Sequence, residues 1–153
     1  MVTPSNITFD DSLWPLLIVR FSGTPNKQQF EEYMAMRGRY LARNQKHALI
    51  YDTVRFNVLN PEQRQRQIDW LKQHKELLGK LSLGSALVIT SPVIRLSLSL
   101  VLQFSQASAP YHAARSMPDA ASWCAGRLAS AGLLTEARRV RTHFGLAPRQ
   151  GTA

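Results

Sequence analysis

Four residues near the middle of the chain have the types and spacing of a small polar site: Asp52, Thr53, Arg55 and Asn60. An acid and a guanidinium this close in sequence can pair. Thr53 offers a hydroxyl. Asn60-Pro61 opens a helix whose first N–H groups are free to face an anion. Asp52 ends the run Ala48-Leu49-Ile50-Tyr51, and open α/β sheets collect ligands at strand ends. Thr90 and Ser91 end a later run and could border the same crevice, although their nearer task is to cap the next helix. Two accounts fit: a ligand or switch site formed by Asp52, Thr53, Arg55 and Asn60, or a structural Asp52–Arg55 pair beside an ordinary helix cap.

His74 lies within the apolar arc of Trp70, Leu71, Leu77, Leu78 and Leu81. Burial there would depress its pKa and make it a candidate base; the alternative is a hydrogen-bonded histidine at the core. With Asp52 and Arg55 it forms the one enzyme-like set the sequence offers. Cys124 lies in an apolar helix with nothing nearby to lower its pKa, which reads as a buried, inert thiol. There is no glycine-rich phosphate loop, no HExxH and no GxSxG. His47, His74, His112 and His143 are scattered, and one Cys can build neither an internal disulfide nor a thiolate zinc cluster. The residues imply no catalytic constellation, no cofactor and no metal.

The elements that position these residues follow from periodicity and punctuation. Short β-branched runs predict strands at 6–10, 16–21, 48–52 and 84–90, with a weak last strand at 111–115. Thr24-Pro25, Asn60-Pro61, Ser91-Pro92 and Ser116-Met117-Pro118 are capping starts. They predict helices from Thr24-Pro25 to about Asn44, from Asn60 to Lys80, from Val93 to about Gln106, and from Ser116 to a Gly132 cap. A last basic helix spans 133–144, and Thr53–Leu59 reads as a mixed loop. Alternating strands and helices predict a mainly parallel α/β sheet of four to five strands with about four helices plus the C-terminal basic helix. The weak first strand should supply an antiparallel edge. The 153 residues make one domain, with 133–153 as a helical extension.

The chain is 44% hydrophobic and 19% charged, which excludes a disordered class. Its net charge is +9, with Arg exceeding Lys by 14 to 5. The basic groups fall in three sets: Arg37, Arg39, Arg43 and Lys46; Arg64, Arg66, Lys72, Lys75 and Lys80; Arg138, Arg139, Arg141 and Arg149. Acids interrupt them, and no nucleic-acid reading motif or stacking platform accompanies them. Nucleic acid is therefore a disfavoured partner, and any such mode would run through Arg64, Arg66, Lys72 and Lys75. The N-terminus has no basic n-region, so no signal peptide is predicted. Arg95 and Pro92 interrupt the one long apolar stretch, so no transmembrane segment is predicted and a cytoplasmic location is expected.

The chain resembles the SpoIIAA-like group, the STAS domains and their STAS/SEC14-like relatives of bacteria. The resemblance covers about residues 6–131. It rests on the element order, on Leu16–Phe21 ending in Phe21-Ser22-Gly23, on Ala48–Asp52 ending in an acid, and on the closing helix Ala120-Ala121-Ser122-Trp123. It implies four helices on one side of the sheet, with the other side partly open, and regulation by protein contact. In the phosphorylated branch the acceptor hydroxyl follows a central strand. Here Asp52 matches, Thr53 is the available hydroxyl, and no Ser-Gly pair follows.

The expected function is accordingly a non-catalytic regulatory or scaffold domain acting through another protein or through self-association. The helix 93–106 is apolar around most of its circumference, which suits an interface. Ile94, Leu98, Val101 and Leu102 are the candidate interface residues, unless helix 133–144 folds back over them. The alternative is a small-ligand or lipid-binding module.

Overall fold

The structure is a computed structural model that describes residues 6–105 and 109–147. Its strands are β1 (Asn6–Leu13), β2 (Leu16–Gly23), β3 (His47–Phe56), β4 (Ser82–Val88) and β5 (Tyr111–Ala114). They lie side by side in sequence order in one sheet. β1 runs antiparallel to β2, as expected of the edge, and the other three pairings are parallel. The helices are α1 (Lys27–Leu41), α2 (Pro61–Gln73), α3 (Lys75–Leu81), α4 (Pro92–Ser105), α5 (Met117–Ser130) and α6 (Leu134–His143).

A strand order that always steps the same way has one consequence. Right-handed crossovers between parallel neighbours then all pass over the same face. α1, α2–α3 and α4 accordingly pack on the face that carries Leu17, Val19, Phe21, Leu49 and Leu87, where Phe30, Tyr33, Trp70, Leu78 and Ile94 complete the core. We call this the aromatic face. Period-two alternation sends Leu16, Ile18, Ala48, Ile50, Ala86 and Val88 to the other side. There α5 and α6 supply Ala120, Ala121, Cys124, Ala125, Leu128, Ala137 and Val140. We call this the alanine face. Of the four helices expected on one side, the first three lie on the aromatic face, one of them broken into α2 and α3, while the fourth, α5, lies on the other. The second side is not partly open: α5 and α6 cover it, because small residues let a helix lie close to the strands.

Several boundaries differ from the sequence reading. The first helix begins after Asn26, whose side chain and Gln29 form a capping box; Thr24 is not its cap. Thr53–Phe56 is strand and not loop, since β3 continues beside Ser22 and Gly23 after a register shift. The helix expected over 60–80 breaks at His74, where α2 ends and α3 begins. β1 runs past the Asp10-Asp11 pair to Leu13, and the chain turns at Trp14-Pro15. The ends of two expectations, Gln106 and residues 148–153 with Arg149, lie outside the described residues.

Gly84 shows why sequence and fold agree locally. Its φ of +140° is a region that side chains rarely adopt, and a Cβ there would lie 2.5 Å from the Trp123 ring. Glycine lets β4 pass beneath α5.

Candidate functional site

The polar residues at the end of β3 do not gather into one site. Asp52 shares the side of Ala48 and Ile50. Its carboxylate lies 3.7 Å from Arg20, directly across in the β2–β3 register, and accepts from the Val54 N–H at 3.2 Å. Arg20 also reaches Asp10 at 3.7 Å. The expected Asp52–Arg55 pair is therefore corrected to Asp52–Arg20: Arg55 lies beyond the register shift, opposite Ser22, and is exposed. Asp10 titrates below the usual carboxylate range, chiefly because Ser12 donates to it, with Arg20 adding to the effect.

Thr53 faces the other side. It is buried, and its hydroxyl donates to the Val88 carbonyl at 2.6 Å. It lies within a strand and not at a helix start, and its one O–H is spent on β4. Asn60 caps α2 through Oδ1, which accepts from the Gln63 N–H at 2.7 Å, while Gln63 Oε1 accepts from the Asn60 N–H. Gln63 Nε2 donates in turn to the Pro25 carbonyl, tying this cap to the start of α1. With strand order running one way, the sheet has no point at which order reverses and a ligand crevice opens.

His74 stacks on Trp70 with ring centres 4.2 Å apart, and its Nδ1 lies 2.8 Å from the Trp70 carbonyl. It closes α2 on the aromatic side of the sheet, whereas Asp52 faces the other, so the enzyme-like set is not assembled. Cys124 is fully buried; its thiol lies 3.5 Å from the Leu49 carbonyl, and burial pushes its pKa up to about 12. A thiol so placed is no nucleophile. Among the described residues no group of three or more His, Cys, Asp or Glu is arranged to hold a metal ion.

On α4, Ile94 and Val101 are buried against the aromatic face, and Leu98 and Leu102 are half-buried beside them. All four expected interface residues thus look inward. α6 lies across the sheet from α4, packed on α5 and β1, so the C-terminal helix does not cover α4. The apolar residues that α4 turns outward are Val93, Leu96 and Phe104, at 63%, 64% and 56% exposure. With Leu100 they follow one line along the helix, at spacings of three, four and four.

Beneath α2, α3 and α4 lies a cavity of about 120 Å³. Phe21, Leu49, Leu59, Leu78, Leu87, Leu98, Val101 and Leu102 give it a hydrocarbon wall, with Tyr33, Tyr51, Thr53, Gln67 and Arg37 as its main polar members. Arg37 is 4% exposed. Burial lowers its pKa, while Tyr33 hydrogen-bonds it. Burial likewise raises the Tyr33 phenol. An interior charge without an opposite partner costs several kcal/mol. The sequence groups Arg37 with Arg39, Arg43 and Lys46 in a basic set, but the structure buries it. The signal for burial is its spacing: Arg37 falls four residues after Tyr33 and four before Leu41, on the apolar line of α1.

A unidirectional sheet with one antiparallel edge strand and all its crossovers on one face defines this chain as a SpoIIAA-like α/β fold. The solved structure of an uncharacterised protein of the DUF3478 family with a SpoIIAA-like fold, from Shewanella loihica PV-4, superposes with a TM-score of 0.62 at 13% identity, over 81% of this chain and 98% of that one. The complex of the diguanylate cyclase SiaD with its activator SiaC, from Pseudomonas aeruginosa, gives 0.49 at 17% identity, over 72% and 93%. Apo-SiaC from the same organism gives 0.48 at 14% identity, over 72% and 92%. No family model and no curated protein matches the sequence. No helix among the described residues is long and apolar enough to cross a membrane.

Proposed function

We propose that this protein is a non-catalytic regulatory or scaffold domain that acts by contact with another protein. The observation that carries the proposal is the outward line of α4. Val93, Leu96 and Phe104 are large apolar side chains, each more than half exposed, aligned on one helix edge. Such a line is the apolar centre of a helix-borne interface. Arg95 is exposed beside it, and the chain carries +9. The complementary partner therefore presents an apolar groove rimmed by carboxylates. A cytoplasmic setting, and a single domain that includes the C-terminal helix, belong to the same reading; the one Cys is a buried free thiol.

The test compares the full chain with a Leu96→Asp/Phe104→Asp variant. The wild-type protein is expected to run as a monomer in light scattering and to retain a stoichiometric partner from a lysate of the source organism. Binding of that purified partner should weaken by at least about tenfold in the variant. A wild-type dimer that the variant splits would move α4 to self-association. A partner held equally by the variant, or no stoichiometric partner at all, would overturn the proposal.

A further inference from the structure

The cavity under α2–α4 has an electrostatic deficit that its own walls do not cover. Arg37 forms part of that wall. Its guanidinium carbon lies 4.9 Å from the Trp70 ring centre and 5.6 Å from that of Tyr51. Aromatic faces attract a cation but leave it charged. Among the described residues no carboxylate pairs with Arg37. Its Nη1 is buried and has no hydrogen-bond partner. A guanidinium does not shed its proton in a protein, so the charge stays. The rest of the wall is mostly hydrocarbon, and exposed Lys75 and Tyr111 mark where it meets solvent.

We propose that this cavity is a binding site for a small apolar carboxylate. Its oxygens pair with Arg37, and its hydrocarbon body lies against Leu87, Leu98 and Leu102. The guanidinium fork matches a carboxylate in geometry and cancels its single charge. A phosphate would bring a second negative charge to a chamber with one buried cation. The size also fits: about 120 Å³ is close to the ~150 Å³ of a cavity known to hold a benzene ring, so the body is a short alkyl chain or one ring. This site lies inside the α4 layer and does not depend on what docks outside it.

The probes are hexanoate and its neutral counterpart hexanol, titrated calorimetrically into the full chain. Hexanoate is expected to bind at one site, at least about tenfold tighter than hexanol. Arg37→Met should remove that preference while leaving hexanol binding intact. Leu98→Trp, which fills the cavity, should abolish both. Equal binding of the two probes, a preference that survives Arg37→Met, binding that survives Leu98→Trp, or no saturable binding to the folded wild type would each overturn the proposal. Should Arg37→Met fail to fold, the hexanol comparison and Leu98→Trp still decide. Leu96→Asp/Phe104→Asp should leave hexanoate binding unchanged, which separates this site from the α4 contact.

Discussion

The two faces of one sheet are built on different rules. The alanine face is close-packed: α5 and α6 bring mostly alanines against Ile18, Ile50 and Val88, and the Cys124 thiol among them is held inert by burial. The aromatic face is thick. Phe9, Phe21, Phe30, Tyr33, Tyr40 and Trp70 prop its helices away from the strands, and rings of that size leave a cavity and admit Arg37 and His47 to the interior. Small residues give a face whose role is stability. Large rings give one with an internal space and a buried charge.

The largest test of this contrast is truncation on each side. Leu128→Ala, at a fully buried position of the alanine face, should cost about 2–5 kcal/mol, because the close cover cannot collapse. Leu98→Ala only widens a space already present and should cost less than about 2 kcal/mol. Denaturant unfolding of both variants measures the difference, and equal costs would erase the distinction.

Gly84→Ala comes next. It forces a side chain into a positive-φ position against Trp123 and should cost about 2 kcal/mol. A shift below about 0.5 kcal/mol would mean that α5 is free to move away from β4.

Thr53→Val removes one hydrogen bond on the aromatic side. It should cost about 1 kcal/mol, with the fold unchanged by circular dichroism. A phosphate on Thr53 in the folded protein would contradict its burial directly.

The smallest effect is a pH slope that belongs to the aromatic face. Burial lowers the His47 pKa, although the Gln45 carbonyl accepts from its Nδ1 at 2.8 Å and the Trp14 ring stacks 5.2 Å away. Below the unfolded value of about 6.5 the unfolded chain takes up a proton that the folded chain refuses. Stability should therefore fall as pH drops through about 6.5 and level off below the folded pKa. Unfolding curves at about pH 7.5 and about pH 5.5 should diverge for the wild type and converge for His47→Phe. Asp10 and Asp119 also have lowered pKa values, so what they contribute is lost only below about pH 4 and does not obscure that window.

Much of this architecture was legible from local chemistry. The β-branched runs at 16–21 and 48–52, the Asn60-Pro61 cap and the apolar line of the first helix each specify one element, and their alternation implies a mainly parallel sheet; the order of its strands, and with it the face each helix covers, is not written in periodicity. The candidate site was far less legible, since side-chain partners depend on register. Asp52 meets Arg20 because two parallel strands align them, 32 positions apart, while its near neighbour Arg55 is carried off by the strand that Thr53 begins. On α4 the composition showed excess apolar surface but not which edge the sheet would claim. Ile94 and Val101 went inward, leaving Val93, Leu96 and Phe104 outside. Arg37 is the instructive miss, because its charge suggested solvent while its spacing placed it in the core.

The one-way strand order also sets what a shortened chain would expose. Each βα step adds a strand and its cover together on the aromatic side, so that half closes progressively as residues 16–105 are laid down. The alanine side gains nothing until residues 117–143 arrive, and it then gains everything at once. A chain halted before Met117 would carry Leu16, Ile18, Ile50 and Val88 as bare, sticky surface. The last two helices are thus what takes that surface out of water.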